Sequence, residues 1–168
     1  MTKLLGAVLI LACCGIAGQW AVQRLKGRVR FLVGLQQGLL TLEKEISYSS
    51  TAMSQALGRA AETAGSAESL FQKAAELLRQ GDGLTAGEAW ERAVSVQGPL
   101  DAELLELLRL PGSGLGLSDS ESQVKQLELC RERLREAERQ AASREQQYGK
   151  VYQALSWGCG AVLVLFLL

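Results

Sequence analysis

Residues 30–48 read RFLVGLQQGLLTLEKEISY, and the order of apolar and polar residues in this stretch decides the fold class. Leucine or isoleucine recurs at steps of three and four residues, at Leu32, Leu35, Leu39, Leu42 and Ile46. In an α-helix of 3.6 residues per turn, this spacing gathers the apolar side chains on one face. The stretch therefore predicts an amphipathic helix over 28–47 that packs against further helices.

The residues after this helix predict three more helices, separated by turns. An alanine-rich stretch over 52–64 predicts the second helix. An apolar stripe from Leu70 predicts the third, which should end at Gly81-Asp82-Gly83 because glycine readily adopts positive backbone angles. Thr85-Ala86-Gly87-Glu88 has the spacing of a capping box, in which a hydroxyl and a carboxylate satisfy free amides at a helix start. A fourth helix should begin near Thr85, with Trp90 on its buried side.

Two leucine-containing segments complete the prediction. Leu100 to Leu108 predicts a fifth helix, which Pro111-Gly112 and the glycine-rich loop to Gly116 should close, because proline lacks an amide donor and glycine favours turns. Ser118-Asp119-Ser120-Glu121 repeats the capping-box spacing and opens a sixth helix. That helix has a heptad seam of Leu127, Cys130, Leu134, Ala137, Ala141, Tyr148 and Val151, with Arg144 at one seam position. The seam suits a partner helix inside or outside the chain, so self-association is left open; packing within one bundle is the simpler interpretation.

Both ends of the chain predict membrane spans. Residues 4–22 carry no charge and would form roughly 28 Å of helix, close to the thickness of the bilayer core. Residues 151–168 form a second, shorter apolar run. Cations flank the runs on their inner sides: Arg24, Lys26, Arg28 and Arg30 after the first, and Arg139, Arg144 and Lys150 before the second. Because such charges are retained on the cytoplasmic side, the domain over 28–150 should face the cytoplasm.

Two other interpretations of the N-terminal run stay open. The first is a cleaved signal peptide with Lys3 as its basic start. The second is a lipoprotein signal, because Leu11-Ala12-Cys13-Cys14 faintly resembles the run before a lipidated cysteine. Both require export of the residues that follow, and the four cations from Arg24 onward oppose that export.

The composition disfavours several classes of function. Basic and acidic residues are equal in number, 18 each, so no excess positive charge draws the chain to nucleic acid. Histidine, the commonest general base and metal ligand, is absent, and no cysteine pair has zinc-site spacing. Gly112-Ser113-Gly114-Leu115-Gly116 lacks the lysine of a nucleotide-binding loop. We therefore expect no enzymatic activity, no catalytic residue, no metal and no cofactor.

Several motifs carry a resemblance to a known family. They are Leu4-Leu5-Gly6-Ala7-Val8, Arg28-Val29-Arg30, Leu35-Gln36-x-x-Leu39-x-x-Leu42-Glu43-x-Glu45-Ile46-x-Tyr48, Ala89-Trp90, and Leu115-Gly116-Leu117-Ser118-Asp119 with Gln123. In these motifs the chain resembles the stage III sporulation protein AB family of endospore-forming bacteria, over nearly its whole length. It departs at Val29, where the family commonly has proline, and at Thr51-Ala52-Met53, where the family has Thr-Pro-Leu.

The resemblance implies a fold and a role. Members of this family resemble the cytoplasmic domain of type II secretion platform proteins, a bundle of about six helices, in agreement with the helix count above. The chain would be an all-α bundle between two transmembrane helices. It would serve as a non-enzymatic platform or scaffold subunit in the mother-cell membrane surrounding the forespore. Its partners would be the lipid bilayer, other stage III sporulation subunits and a companion secretion-type ATPase.

The same motifs supply a candidate interface of Gln36, Glu43, Glu45, Tyr48, Asp119 and Gln123. Charge reversal at Glu43 or Glu45, or loss of Asp119, is expected to weaken complex assembly rather than folding. For Asp119 the alternative is helix capping. The competing function is a membrane-tethered coiled-coil adaptor or lipoprotein unrelated to secretion, and a lipid on Cys13 would distinguish it.

Overall fold

The computed structural model describes residues 2–48, 51–81, 83–98, 101–115 and 119–167. The helices are α1 (Thr2–Tyr48), α2 (Met53–Thr63), α3 (Glu68–Arg79), α4 (Ala86–Val96), α5 (Ala102–Gly114) and α6 (Ser120–Leu167), with a 3₁₀ turn at Gly65–Ala67. These ranges contain no β-strand. The all-α prediction and the count of six helices are confirmed.

The chain divides into two compact units, a helical domain over 30–138 and a unit made of residues 1–29 and 139–168. Among the residues that the structure describes, none of the helices combines the length and apolar character needed to cross a membrane. The structure does not describe most of the side chains in the two predicted spans, 4–22 and 151–168. The two spans therefore stay predictions.

Turns between the short helices follow from local chemistry. Gly81 and Gly83 both have positive φ, 76° and 70°, and α3 ends just before them as expected. The Thr85 hydroxyl accepts a hydrogen bond from the Glu88 amide, and the Glu88 carboxylate accepts one from the Thr85 amide. This capping box starts α4 where the sequence predicted it.

Helix α5 ends at Gly114, inside the stretch from Pro111 to Gly116 that was predicted to close it, but it continues through Pro111-Gly112 and does not stop at the proline. Proline inside a helix removes one backbone hydrogen bond, yet packing against α4 holds the turn. The indole Nε1 of Trp90 donates to the Leu108 carbonyl oxygen at 2.7 Å. A Cβ on Gly112 would lie 3.1 Å from Trp90 Cδ1, so the backbone of α5 lies directly on the indole ring.

The core of the helical domain is built from one face of α1 and the inner faces of the other helices. Leu32, Leu35, Leu39 and Leu42 are fully buried. Phe71 and Trp90 make an edge-to-face contact with ring centroids 5.1 Å apart. The α6 seam is buried at Leu127, Cys130, Leu134 and Ala141, half-buried at Ala137, and exposed at Arg144, Tyr148 and Val151. Within the helical domain, the predicted seam therefore belongs to the core from Leu127 to Leu134, with Ala137 half-buried beside it.

Helix α1 approaches the end of α2 and the side of α3 closely because it has glycine at both contacts. A Cβ on Gly34 would lie 2.1 Å from the Ala64 carbonyl oxygen. A Cβ on Gly38 would lie 2.5 Å from the Phe71 ring. Real Cβ atoms do not approach other heavy atoms this closely, so a side chain at position 34 would collide with fixed backbone, and one at position 38 would require the buried Phe71 ring to move.

Candidate functional site

Two of the predicted interface residues lie between α1 and α6. Gln36 Nε2 donates to a Glu138 carboxylate oxygen at 2.8 Å, and Arg131 Nη1 donates to Glu43 Oε2 at 2.5 Å. The side chains of Glu43 and Arg131 are only 15% and 17% exposed. Glu43 therefore forms a largely buried ion pair within the domain, and Gln36 joins the same two helices.

Glu45 joins α1 to the start of the next helix. Its carboxylate accepts a hydrogen bond from Arg59 Nη1 at 2.8 Å and a longer one from the Thr51 hydroxyl at 3.4 Å. Glu45 is 16% exposed, whereas Arg59 is 55% exposed. The glutamate thus holds the chain where it turns from α1 into α2.

Asp119 is the N-cap of α6. Its carboxylate accepts hydrogen bonds from the Ser122 hydroxyl at 2.8 Å, the Ser122 amide at 3.1 Å and the Glu121 amide at 3.3 Å. The Ser122 hydroxyl, followed by these two amides, lowers the pKa of Asp119. Ser118, the first residue of the predicted capping box, lies outside the described residues, and the cap observed is one residue later. The geometry favours the capping alternative for Asp119.

Gln123 and Tyr48 have opposite environments. Gln123, one turn into α6, is 9% exposed, and its backbone amide donates to the Asp119 carbonyl oxygen at 3.1 Å. Tyr48, the last residue of α1, is 89% exposed. Because α1 and α6 are antiparallel, as their two contacts show, Tyr48 lies at the same end of the helical domain as Asp119. We call this end of the domain, which contains Tyr48 and Asp119, the Tyr48 end.

The structure adds a polar groove that the sequence reasoning missed. This α2–α3 groove has a volume of about 880 Å³; its lining includes Ser54, Gly58 and Arg59 of α2 and Gln72, Lys73 and Arg79 of α3. A Cβ on Gly58 would meet no atom within 4 Å, so the floor of the groove is open at this glycine. Lys73 pairs with Glu76 at 2.8 Å, and this contact lowers the pKa of Glu76. The sequence signal for the groove was the series of small or polar residues at four-residue steps, Ser54, Gly58 and Glu62.

The described side chains offer no arrangement typical of catalysis. In the parts of the chain that the structure describes, no cluster of three or more His, Cys, Asp or Glu residues is suited to a metal ion. Cys130 is 2% exposed, and burial raises the pKa of its thiol. A buried thiol with a raised pKa is a weak nucleophile. The expectation of a non-enzymatic protein stays a prediction.

Comparison with known proteins decides the family. A family model described as stage III sporulation protein AB matches residues 3–168. The chain belongs to this family. Stage III sporulation protein AB of Bacillus subtilis (strain 168) is 29% identical over 172 residues, and the match covers all of both chains. A solved structure of a stage III sporulation protein AB matches with a TM-score of 0.63 at 26% identity, over 72% of this chain and 98% of that chain.

Membership in the stage III sporulation protein AB family supports a role in sporulation and confirms the resemblance. This chain has alanine where the family has the proline of its Thr-Pro-Leu motif, but the backbone at this position could still accommodate a proline. Ala52, which stands at the proline position, has φ of −58°, within the range that a proline ring imposes. Among the motif residues, Trp90 and Asp119 serve the bundle itself, whereas Tyr48 is too exposed for a role in the core.

Proposed function

We propose that this chain is a non-enzymatic platform or scaffold subunit of the secretion-like complex between mother cell and forespore, and that its helical domain docks a companion secretion-type ATPase. The match of the family model to residues 3–168 carries the proposal. The all-α bundle, with polar contacts that tie its long helices together, suits a rigid docking body. ATP hydrolysis would then occur in the partner, and this chain would hold it in position.

The proposal includes membrane anchoring. Residues 4–22 and 151–168 would span the mother-cell membrane that surrounds the forespore, with the helical domain in the cytoplasm. The support is the sequence: two apolar runs whose inner flanks carry the cations. A lipid on Cys13 in protein isolated from cells, with loss of the residues before it, would contradict the platform and favour the lipoprotein alternative.

The docking surface is proposed to include the Tyr48 end and the α2–α3 groove. Glu43 and Glu45 already bind arginines of the same domain, so their carboxylates have less capacity for a second protein. Tyr48 is free to insert into a partner, and tyrosine supplies a large contact area at a low entropic cost. The α2–α3 groove presents both signs of charge and an open floor at Gly58.

Co-purification tests the proposal. The full chain is extracted from membranes in detergent, and the companion ATPase of the same organism is sought with it, with and without nucleotide. The test variant Gly58→Glu fills the groove without a steric clash at Cβ, and Gly98→Glu is the matched control because its Cβ would also meet no atom within 4 Å. We expect Gly58→Glu to reduce the recovered ATPase at least tenfold and Gly98→Glu to leave it unchanged.

Each result has a defined consequence. If no ATPase is recovered with the unmodified chain under either nucleotide condition, the docking role is wrong. If Gly58→Glu and Gly98→Glu behave alike while Tyr48→Ala abolishes recovery, the docking role stands and the surface is restricted to the Tyr48 end.

A further inference from the structure

The N-terminal part of α1 carries a cluster of basic residues just after its apolar run. The first 42 residues contain five basic residues and no acidic one, since the first carboxylate is that of Glu43. Three of these basic residues, Arg24, Lys26 and Arg28, follow the apolar run directly, and we call them the basic collar. Arg24 and Lys26 are exposed, and Arg28 is half-buried.

The cations of the basic collar surround the helix. At about 100° per residue, Arg24 and Arg28 share one face of α1, while Lys26 lies on the opposite one. The collar is therefore suited to a ligand that is present all around the helix. A bilayer leaflet offers such a ligand, because headgroups encircle any helix that enters it.

Trp20 marks the level at which these headgroups would lie. Its side chain is 61% exposed, and the guanidinium carbon of Arg24 lies 4.6 Å from the centroid of its ring. Tryptophan is enriched where membrane meets water, because it combines an apolar body with a polar N–H. The contact between Arg24 and Trp20 places a cation beside this interfacial ring, at the end of the apolar run.

We propose that the basic collar binds the phosphate groups of anionic phospholipids and so enriches these lipids around the first span. Arginine matches phosphate oxygens with paired N–H donors, and each basic residue near an anionic surface strengthens the attraction about fivefold. The inference rests on the proposed membrane anchoring through residues 4–22, and it adds the class of lipid.

Fluorescence quenching by brominated lipids tests the proposal. The full chain with Trp157→Phe is reconstituted into mixed vesicles of phosphatidylglycerol and phosphatidylcholine, with one or the other lipid brominated. Quenching requires contact, so Trp20 reports on the lipid while Trp90, buried in the helical domain, contributes a constant background. We expect the quenching ratio to show at least threefold enrichment of phosphatidylglycerol at Trp20.

Two variants assign the enrichment to the collar. Arg24→Gln/Lys26→Gln/Arg28→Gln should bring the quenching ratio close to one, with equal access of both lipids. The matched control Arg109→Gln/Arg133→Gln/Arg135→Gln removes three exposed arginines of the helical domain and should keep the enrichment. Enrichment that persists in the collar variant would overturn the proposal.

The remaining outcomes separate this inference from the anchoring on which it rests. If neither brominated lipid quenches Trp20, residues 4–22 do not enter the bilayer, and both the anchoring and the collar proposal fail. If both brominated lipids quench Trp20 equally in the chain with an intact basic collar, the anchoring stands and only the lipid preference is wrong. Inorganic phosphate, added at an ionic strength matched with chloride, should not remove the enrichment; specific loss with phosphate would make soluble phosphate the ligand and overturn the assignment to lipid.

Discussion

The ion pair of Glu43 and Arg131 joins residues that are 88 positions apart in the chain and belong to two different helices. Both side chains are more than four-fifths buried. Removing one member of such a pair leaves the other charge poorly solvated. At the scale of the single residue, Glu43 is therefore expected to contribute to folding, in addition to any contact with a partner.

We predict that Glu43→Gln lowers the free energy of unfolding of the full chain by about 1–3 kcal/mol, because Arg131 keeps its charge and loses its partner. Denaturant titration followed by circular dichroism measures the change. Glu132→Gln, an exposed glutamate on the same helix as Arg131, is the control and should change stability by less than about 0.5 kcal/mol. If Glu43→Gln leaves the unfolding curve unaltered but abolishes recovery of the ATPase, Glu43 is instead a residue of the interface with the partner.

Asp119 makes a prediction about pH. Its folded-state pKa is lowered, so its stabilising contribution is fully present above its unfolded pKa near 4 and is lost as pH falls toward the lower folded pKa. Asp119→Asn keeps an oxygen acceptor for the cap but has no charge to lose. In thermal melts from pH 7 to pH 2.5, the chain with Asp119 should be the more stable at neutral pH, and the difference should begin to shrink as the pH falls below about 4.

Asp119→Ala also separates the two roles considered for this residue. It removes both the charge and the acceptor, so a cap predicts a midpoint a few degrees lower at neutral pH. A difference between Asp119 and Asp119→Asn that stayed constant across the pH range would contradict the capping account. An unchanged melt of Asp119→Ala, with weaker recovery of the ATPase, would identify an interface residue.

At the scale of helices, the glycines of α1 set how closely it packs. We predict that Gly34→Ala lowers the free energy of unfolding by about 1–3 kcal/mol, because the new Cβ would meet the Ala64 carbonyl oxygen, a backbone atom that cannot rotate away. Gly58→Ala on α2 is the matched control. Its Cβ would meet nothing within 4 Å, so the higher helix propensity of alanine should raise stability by about 0.5–1 kcal/mol.

The two glycine variants are compared in one series of denaturant titrations. If Gly34→Ala and Gly58→Ala both destabilise the chain, the glycines are needed for a reason other than the close approach of α1 to Ala64. Stabilisation by Gly34→Ala would mean that α1 can move away from Ala64 at little cost. Either result would contradict the packing described for α1.

At the scale of the whole molecule, the two proposed spans make a prediction about topology. If residues 4–22 and 151–168 cross the membrane, the helical domain is shielded from the extracytoplasmic side. Protease added to that side of sealed vesicles should leave the domain intact, whereas protease on the cytoplasmic side should digest it. Immunoblotting against the domain measures the outcome, and detergent-opened vesicles are the control. Digestion from the extracytoplasmic side would contradict the anchored orientation.

The sequence by itself determined the all-α class, the six helices and several of their starts. These features depend on residues three or four positions apart, whose geometry along a helix is fixed by its pitch. The capping box at Thr85 is one case, since both of its partners lie within one turn. The family resemblance also rested on local motifs, and the whole-chain match confirmed it.

Contacts between distant residues were decided only by the tertiary structure. The sequence placed Glu43 on a polar side of its helix, but its partner Arg131 lies on a helix that packs there only in the folded chain. Likewise, the sequence predicted that α5 ends between Pro111 and Gly116, but only the folded chain, in which Gly112 packs on Trp90, shows that the helix continues through Pro111 as far as Gly114. The α2–α3 groove belongs to the same class of feature, because a space between two helices exists only once both have been brought together.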